Sequence, residues 1–149
     1  MPRPVQARDL MSRPVRQLTA ATPVRDAAAF LLRHGISGAP VLDEHGRWIG
    51  VFTQNDLARS VEHRLMPPTP EDLGRTPVKK FMTPGLFTVF PEATMEEVVR
   101  TMTTFKIHRV FVIDEAEGTL QGVITTMDVL RRLEADQGRT TIEPKSRTA

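Results

Sequence analysis

Hydrophobic residues in this chain form two kinds of pattern, and both kinds occur in each half. Short continuous apolar segments bounded by turn residues predict strands, whereas apolar residues three or four positions apart predict amphipathic helices. Gly35 and Gly46 predict a helix end and a hairpin turn. For the first half, the patterns predict a helical turn at 5–11, an extended segment at 15–18, a helix at 23–34 with Thr22 as its N-cap, strands at 36–42 and 48–53, and a helix from 55 to about 65.

The second half repeats this plan. Its patterns predict a helical turn at 78–82, an extended segment at 86–90, a helix that begins at a capping box of Thr94 and Glu97 and ends near 105, a hairpin of 107–113 with 120–125, and a helix from 127 to about 135. Each half therefore has the order strand, helix, strand, strand, helix, which predicts an α+β fold. Because a half of this size buries little surface alone, we expect the two halves to pack their sheets together about a pseudo-twofold axis.

An internal repeat aligns the two halves at an offset of about 71 residues. Asp9-Leu10-Met11-Ser12 lies over Lys80-Phe81-Met82-Thr83, and Val41-Leu42-Asp43 lies over Val112-Ile113-Asp114. Residues 66–77 hold four prolines, which is typical of a linker, and the polar end of the chain lacks periodicity. The predicted organisation is repeat 1 at 5–65, a Pro-rich linker at 66–77, repeat 2 at 78–135 and a flexible tail at 136–149.

Composition narrows the function classes. The chain of 149 residues is 40% hydrophobic, enough for a packed core, and its lack of Cys excludes disulfides and thiolate metal sites. Its net charge is only +2 with the basic residues scattered, so nucleic acid is not the expected partner. No apolar segment is long enough to span a bilayer or to form a secretory signal. We therefore expect a cytoplasmic protein.

A strand–helix corner with the pattern Thr-x-x-Asp occurs once in each repeat. The first corner is Thr53 to Asp56 and the second corner is Thr125 to Asp128, each between an apolar strand and an apolar helix. Thr is a good N-cap, and the free N–H groups of a helix N-terminus attract phosphate. A carboxylate in the first turn can also accept hydrogen bonds from the two hydroxyls of a ribose. The pattern is either a helix cap alone or a site for phosphate and sugar, and its occurrence in two matching contexts favours a site.

Six segments, in repeat order, resemble a tandem pair of CBS domains, also called a Bateman module. The resemblance covers about residues 5–135 and implies a regulatory function, with adenine nucleotides bound in clefts between the repeats. His108-Arg109, before an apolar strand, is similar to the nucleotide-sensing γ subunit of AMP-activated protein kinase. The segments are 9–12, 35–43, 50–56, 81–84, 106–114 and 122–130.

The resemblance also implies which residues bind the nucleotide. Ser37-Gly38 stands where the second repeat has His108-Arg109, so we expect two unequal clefts, with the cleft of Asp128 preferred. The implied residues are two carboxylates for ribose (Asp56, Asp128), two hydroxyls for phosphate or ribose (Thr53, Thr125), a pair for phosphate (His108, Arg109), and segments beside the adenine (Ile36, Ser37, Gly38, Ala39, Ile107, Val110, Val15, Leu86).

No catalytic motif occurs in the sequence, so we expect a protein that is not an enzyme and that takes AMP, ADP or ATP as a regulatory ligand. S-adenosylmethionine or a dinucleotide fits the same pocket shape. The four His residues lack metal-ligand spacing, and we expect His34, His45 and His63 to be solvated. A homodimer through the apolar helix faces at 27–32 and 95–102, and an unidentified regulated protein, are the expected partners. The alternatives are a ligand-free dimerisation scaffold and a nucleic-acid binder.

Overall fold

The computed structural model describes residues 3–62 and 69–137, and these form two compact units. The central unit is Val15–Leu86, and the terminal unit combines Met1–Pro14 with Phe87–Ala149. The leading segment of each sequence repeat therefore packs with the remainder of the other repeat. In chain order the elements are α1 (Ala7–Leu10), β1 (Leu18–Thr19), α2 (Val24–His34), β2 (Gly38–Leu42), β3 (Trp48–Thr53), α3 (Gln54–Glu62), α4 (Pro70–Arg75), a 3-10 turn (Val78–Lys80), β4 (Thr83–Pro84), β5 (Thr88–Val89), α5 (Met95–Phe105), β6 (Arg109–Ile113), β7 (Leu120–Thr125) and α6 (Thr126–Gln137).

The central unit is built on a sheet with strand order β1-β2-β3-β4. β1 runs parallel to β2, while β2, β3 and β4 pair antiparallel. Gly35, with φ of 60°, ends α2, and Gly46, with φ of 76°, lies in the turn of the β2–β3 hairpin, as the sequence predicts. Ala39 and Val41, two positions apart on β2, point to the same face of the sheet and share a core cluster with residues of α2. The buried core is Leu18, Val24, Ala27, Leu31, Ala39, Val41, Phe52 and Val78.

The terminal unit is built on a sheet with strand order β5-β6-β7, in which β5 is parallel and β7 antiparallel to β6. The predicted capping box is confirmed: the Thr94 hydroxyl accepts from the Glu97 N–H at 3.1 Å, and the Glu97 carboxylate accepts from the Thr94 N–H at 3.1 Å. The α1 segment completes the core with Ala7 and Leu10. That core is Ala7, Leu10, Val98, Met102, Val110, Val112, Ile124 and Val129.

Thr22 does not cap α2, contrary to prediction. Pro23 is the N-cap residue, and the Thr22 hydroxyl instead lies 2.8 Å from the Thr19 hydroxyl. The Val24 N–H, one of the donors a cap would satisfy, donates to the Thr76 carbonyl at 2.7 Å. The helix end is therefore satisfied by backbone from a distant segment, which a local pattern cannot show.

The predicted linker at 66–77 contains a helix. Within it, α4 begins after Thr69, whose hydroxyl accepts from the Asp72 N–H at 3.1 Å, and Pro70 occupies the first turn. Proline is compatible with that position because its missing N–H has no intrahelical partner there. Leu73 packs against the core of the central unit. The rest of the linker before Thr69 lies outside the described residues.

Two further predictions concern chain ends and surfaces. The helix α6 continues to Gln137, and the predicted tail beyond it lies outside the described residues.

The helix faces that were expected to dimerise contribute side chains to the cores of the units, since Ala27 is fully buried and Met102 is 6% exposed. Of those faces, Leu32 is 84% exposed and Val99 38% exposed. No helix in the described ranges is long and apolar enough to cross a membrane.

Candidate functional site: two strand–helix corners

Both corners form reciprocal caps. In the first corner, the Thr53 N–H donates to Oδ2 of Asp56 at 2.9 Å, and the Asp56 N–H donates to the Thr53 hydroxyl at 3.2 Å. In the second corner, the same two bonds between Thr125 and Asp128 measure 2.8 and 3.4 Å. A helix cap is therefore present at both corners, which is compatible with either interpretation of the pattern, a cap alone or a ligand site. Each cap holds one carboxylate oxygen in place and leaves Oδ1 directed away from the cap bonds.

The strand beside each corner is joined to the helix start by backbone hydrogen bonds. The Thr126 N–H donates to the His108 carbonyl at 3.1 Å, and Arg109 lies opposite Thr125 in the β6–β7 register. In the central unit, the Gln54 N–H donates to the Ser37 carbonyl at 2.9 Å. Each unit thus brings its own corner next to the strand segment that was predicted to contact the adenine or phosphate.

The predicted site residues divide between the units. The central unit contains Val15, Ile36, Ser37, Gly38, Ala39, Thr53, Asp56 and Leu86, and the terminal unit contains Ile107, His108, Arg109, Val110, Thr125 and Asp128.

Burial separates the side chains that can meet a ligand from those that cannot. Ala39 and Val110 are fully buried in the two cores, so only their backbone groups are available. Ile107 is half-buried and packs against the core of the terminal unit, whereas His108 is exposed. Val15, predicted to lie in a strand, is half-buried and precedes β1.

Leu86 was likewise predicted to lie in an extended segment. It is half-buried and lies before β5, in the central unit. Gly85, just before it, donates its N–H to the Ile49 carbonyl at 3.0 Å, which attaches this segment to β3 of the same unit.

Three residues that sequence reasoning missed contact the corner carboxylates. Arg59 and the Thr83 hydroxyl donate to Oδ1 of Asp56, and Arg131 donates to Oδ1 of Asp128 at 3.1 Å. The arginines follow their aspartates by three residues, a spacing at which helix side chains meet. That spacing was visible in the sequence, but the contact with Thr83 was not.

The family model for the CBS domain matches residues 7–63 and again residues 78–135. The two matches together cover most of the chain. The chain belongs to the CBS domain family. It is a CBS-domain pair, and the suspected tandem arrangement is confirmed.

Known relatives carry this pair within longer chains. An inosine-5′-monophosphate dehydrogenase from Aquifex aeolicus is 34% identical over 112 residues, 74% of this chain and 21% of the enzyme. The γ subunit of 5′-AMP-activated protein kinase from Kluyveromyces lactis is 26% identical over 132 residues, 87% of this chain and 40% of the subunit. The CBS-domain pair thus spans well under half the length of either relative.

Among solved structures, the CBS domain pair of protein MJ0100, in complex with 5′-methylthioadenosine and S-adenosyl-L-methionine, superposes with a TM-score of 0.76. The sequences are 22% identical, and the match covers 90% of this chain and 99% of that one. This agreement confirms the α+β fold of two sheets with helices.

The histidines of the CBS-domain pair have different surroundings. His34, predicted to be solvated, is half-buried, with its ring 4.6 Å from that of Phe30 in an edge contact. Desolvation, with smaller contributions from Arg16 and Arg33, lowers the pKa of His34 below its usual value. His45 is exposed beside Glu44, as predicted, and His63 lies outside the described residues. Among the residues described, no three His, Asp or Glu side chains are grouped closely enough to hold a metal ion.

Proposed function

We propose that this CBS-domain pair is a regulatory module that binds an adenosine-containing ligand through the second corner. The observation that carries the proposal is the carboxylate of Asp128. Its Oδ2 is held by the Thr125 N–H and hydroxyl at 2.8 and 3.1 Å, while Oδ1 accepts only from the exposed side chain of Arg131 in the described structure. One oxygen is thus oriented by the cap, and the other has an exchangeable partner.

The chemistry of a ribose suits this carboxylate. A ribose presents two neighbouring hydroxyl donors, and an ionised carboxylate accepts hydrogen bonds without donating any. The Arg131 side chain is 68% exposed, and an exposed ion pair contributes only about 0–1 kcal/mol, so a ligand can replace it at small cost. Hydrogen bonds from hydroxyls to a charged acceptor contribute about 1.5–3 kcal/mol.

A phosphate has its own partners close by. The N-terminus of α6 carries the positive end of the helix dipole, which favours anions. The exposed His108 lies on the adjoining strand segment, where its ring nitrogens can donate hydrogen bonds to a phosphate. We therefore infer that AMP, ADP or ATP is the regulatory ligand, with ribose at Asp128 and phosphate toward His108 and Arg109.

The relatives support an adenosine-type ligand without deciding among its members. Protein MJ0100 is in complex with 5′-methylthioadenosine and S-adenosyl-L-methionine, which share adenine and ribose with AMP but lack phosphate. The γ subunit belongs to a kinase named for activation by 5′-AMP. The ribose that all these ligands share agrees with the role proposed for Asp128. Phosphate binding by His108 and Arg109 would favour AMP, ADP or ATP over 5′-methylthioadenosine and S-adenosyl-L-methionine.

Thermal unfolding with a ligand panel tests this proposal. A ligand at 100 times its Kd stabilises the native state by about 2.7 kcal/mol, which raises the Tm of a chain of this size by roughly 5–10 °C. We expect AMP, ADP or ATP to raise the Tm, and 5′-methylthioadenosine to raise it less. Asp128→Asn should weaken binding by about 10-fold or more.

A matched control lies on the same helix. Asp136 is 49% exposed and pairs with Arg132, away from the corner, so Asp136→Asn should bind like the wild type. Because Asp128→Asn also alters a helix cap, its unliganded Tm is measured separately and the ligand-dependent shift is compared. If no adenosine compound shifts the wild-type Tm, the proposal is wrong.

A second candidate function is a ligand-free dimerisation scaffold that presents its helices to a second copy or to a regulated protein. It is favoured by three exposed apolar residues that follow one another at three-residue intervals on α6, Met127, Leu130 and Leu133, at 52%, 56% and 43% exposure. This spacing places them along one side of the helix. Sedimentation of the wild type and of Leu130→Glu tests it: a dimer that dissociates in the variant supports the scaffold.

A further inference from the structure

The carboxylate of Asp56 is fully engaged inside the central unit. Its Oδ2 accepts from the Thr53 N–H and hydroxyl at 2.9 and 3.1 Å. Its Oδ1 accepts from Arg59 and from the Thr83 hydroxyl, the latter at 3.0 Å. The residue is only 2% exposed. Four donors therefore occupy both oxygens of a buried charge.

Two of these donors connect the first corner to the β4 segment. Thr83 lies in β4, opposite Val51 of β3, and its hydroxyl reaches Asp56 from 27 residues further along the chain. Arg59 also donates to the Phe81 carbonyl at 3.1 Å. Helix α3 is thus tied at two points, Asp56 and Arg59, to residues 81–83, and we call this set of bonds the Thr83 link.

The second corner lacks a matching link. Ser12 occupies the position equivalent to Thr83 in the repeat, and its backbone pairs with Val123 by bonds of 2.9 and 3.1 Å, as Thr83 pairs with Val51. In the described ranges, no hydrogen bond joins the Ser12 hydroxyl to Asp128. The Asp128 side chain is 11% exposed, against 2% for Asp56.

These differences change the cost of admitting a ligand. At the first corner, ribose hydroxyls would have to displace two donors, the 50% exposed Arg59 side chain and the hydroxyl of the exposed residue Thr83, from a carboxylate that is only 2% exposed. Breaking hydrogen bonds to so buried a carboxylate is costly. At the second corner, the hydroxyls replace one exposed arginine. The two corners share a sequence pattern and a cap, but only the second has an oxygen that a ligand can reach at small cost.

We propose that the Thr83 link closes the first corner, so that the chain binds a single adenosine-type ligand, at Asp128. Asp56 then acts as a structural anchor for residues 81–83, and Thr83 is the residue that determines which corner stays closed. The number of ligands bound rests on the proposed function. The Thr83 link is a property of the fold, and the Tm of variants tests it without any ligand.

Two variants test the link without touching either cap. Thr83→Val keeps the shape of the side chain but removes the hydroxyl, leaving one donor fewer on a buried carboxylate, so we expect its Tm to fall by several degrees. Ser12→Ala is the matched change at the second corner and should leave the Tm within about one degree of the wild type, as is usual for surface positions.

Isothermal titration with AMP and with 5′-methylthioadenosine tests the number of sites. We expect one site per chain in the wild type and none in Asp128→Asn. We expect two sites in Thr83→Val, because among the described residues Oδ1 of Asp56 then keeps only Arg59, as Oδ1 of Asp128 keeps only Arg131. The closure would be overturned by two sites per wild-type chain, by a single site in Thr83→Val, or by stoichiometric binding retained in Asp128→Asn. Equal Tm values for Thr83→Val and Ser12→Ala would also overturn it. If neither AMP nor 5′-methylthioadenosine binds the wild type, the proposed function is overturned instead. The Tm comparison would still decide whether the Thr83 link exists.

Discussion

Gly122 lies directly against Met11: a Cβ added to Gly122 would be 2.5 Å from Sδ and 2.7 Å from Cβ of Met11. The contact joins β7 to the segment that follows α1, more than a hundred positions earlier in the chain. Gly50 occupies the equivalent place in the central unit, where an added Cβ would lie 2.5 Å from the Thr83 carbonyl oxygen. In both units, the missing side chain is what lets a leading segment approach the sheet.

We predict that Gly122→Ala lowers the free energy of unfolding by about 1–3 kcal/mol, as overpacking does, and that Met11→Gly in the same chain reduces this penalty because it removes the clashing atoms. Urea unfolding of the single and double variants measures the coupling. Gly50→Ala should cost more, since its clash is with a backbone oxygen that no side-chain truncation removes. Equal penalties for Gly122→Ala with and without Met11 would contradict this account.

Leu10 provides a test of the exchanged leading segment. It is 6% exposed in the core of the terminal unit, although a compact repeat read from the sequence alone would place it with residues 15–62. Leu10→Ala should cost about 2–5 kcal/mol in urea unfolding, because it leaves a cavity among the side chains of α5 and α6. Leu32→Ala, at a residue 84% exposed, is the control and should change stability by less than about 0.5 kcal/mol. Similar effects for the two variants would show that α1 does not pack there.

The carboxylate of Asp9 predicts how stability depends on acid pH. The Gln6 N–H, which donates to Asp9 at 2.9 Å, and then Arg3 hold the pKa of Asp9 below its ordinary value of 3.8. A carboxylate whose folded-state pKa is depressed contributes stability above its unfolded value and loses it as the pH falls through the folded-state value. The Tm of the wild type should therefore fall more steeply below about pH 4 than that of Asp9→Asn, while above pH 5 the variant should be the less stable protein.

Asp26→Asn is the control for this pH series. Its carboxylate is exposed and lies 3.9 Å from Arg25, too far for a hydrogen bond. The variant removes a carboxylate without removing a hydrogen bond, so it separates the loss of a charge from the loss of the Gln6 and Arg3 contacts. A profile for Asp9→Asn that runs parallel to the wild type across pH 2–7 would show that the Gln6 and Arg3 contacts do not stabilise the charged form.

Local signals explain what the sequence could predict. The two Thr-x-x-Asp corners and the Thr94–Glu97 cap depend on residues three positions apart, and the hairpins depend on apolar segments around a glycine turn. Helix α4 has the same kind of local signal in Thr69 and Asp72, but the neighbouring prolines favoured the linker interpretation. Pro70 was compatible with the helix because it stands in the first turn.

Contacts between distant segments explain what the sequence could not predict. The Thr76 carbonyl satisfies the start of α2, and the Thr83 hydroxyl reaches Asp56, across separations that leave no periodic trace. The repeat alignment did place Thr83 over Ser12, yet only the structure shows that one hydroxyl bonds to its aspartate while the other does not. The difference between the corners is therefore a tertiary property.

The exchange of leading segments has a consequence for synthesis on the ribosome. When residues 5–62 have emerged, the central unit still lacks Val78 and β4, and α1 has no sheet to pack against. The core of the central unit can be completed only after residue 86 has emerged from the ribosome. Ala7 and Leu10 lack their partners in the core of the terminal unit until α6 has been synthesised. Because nearly the whole chain separates α1 from α6, completion of the terminal unit is expected to be a late event in folding.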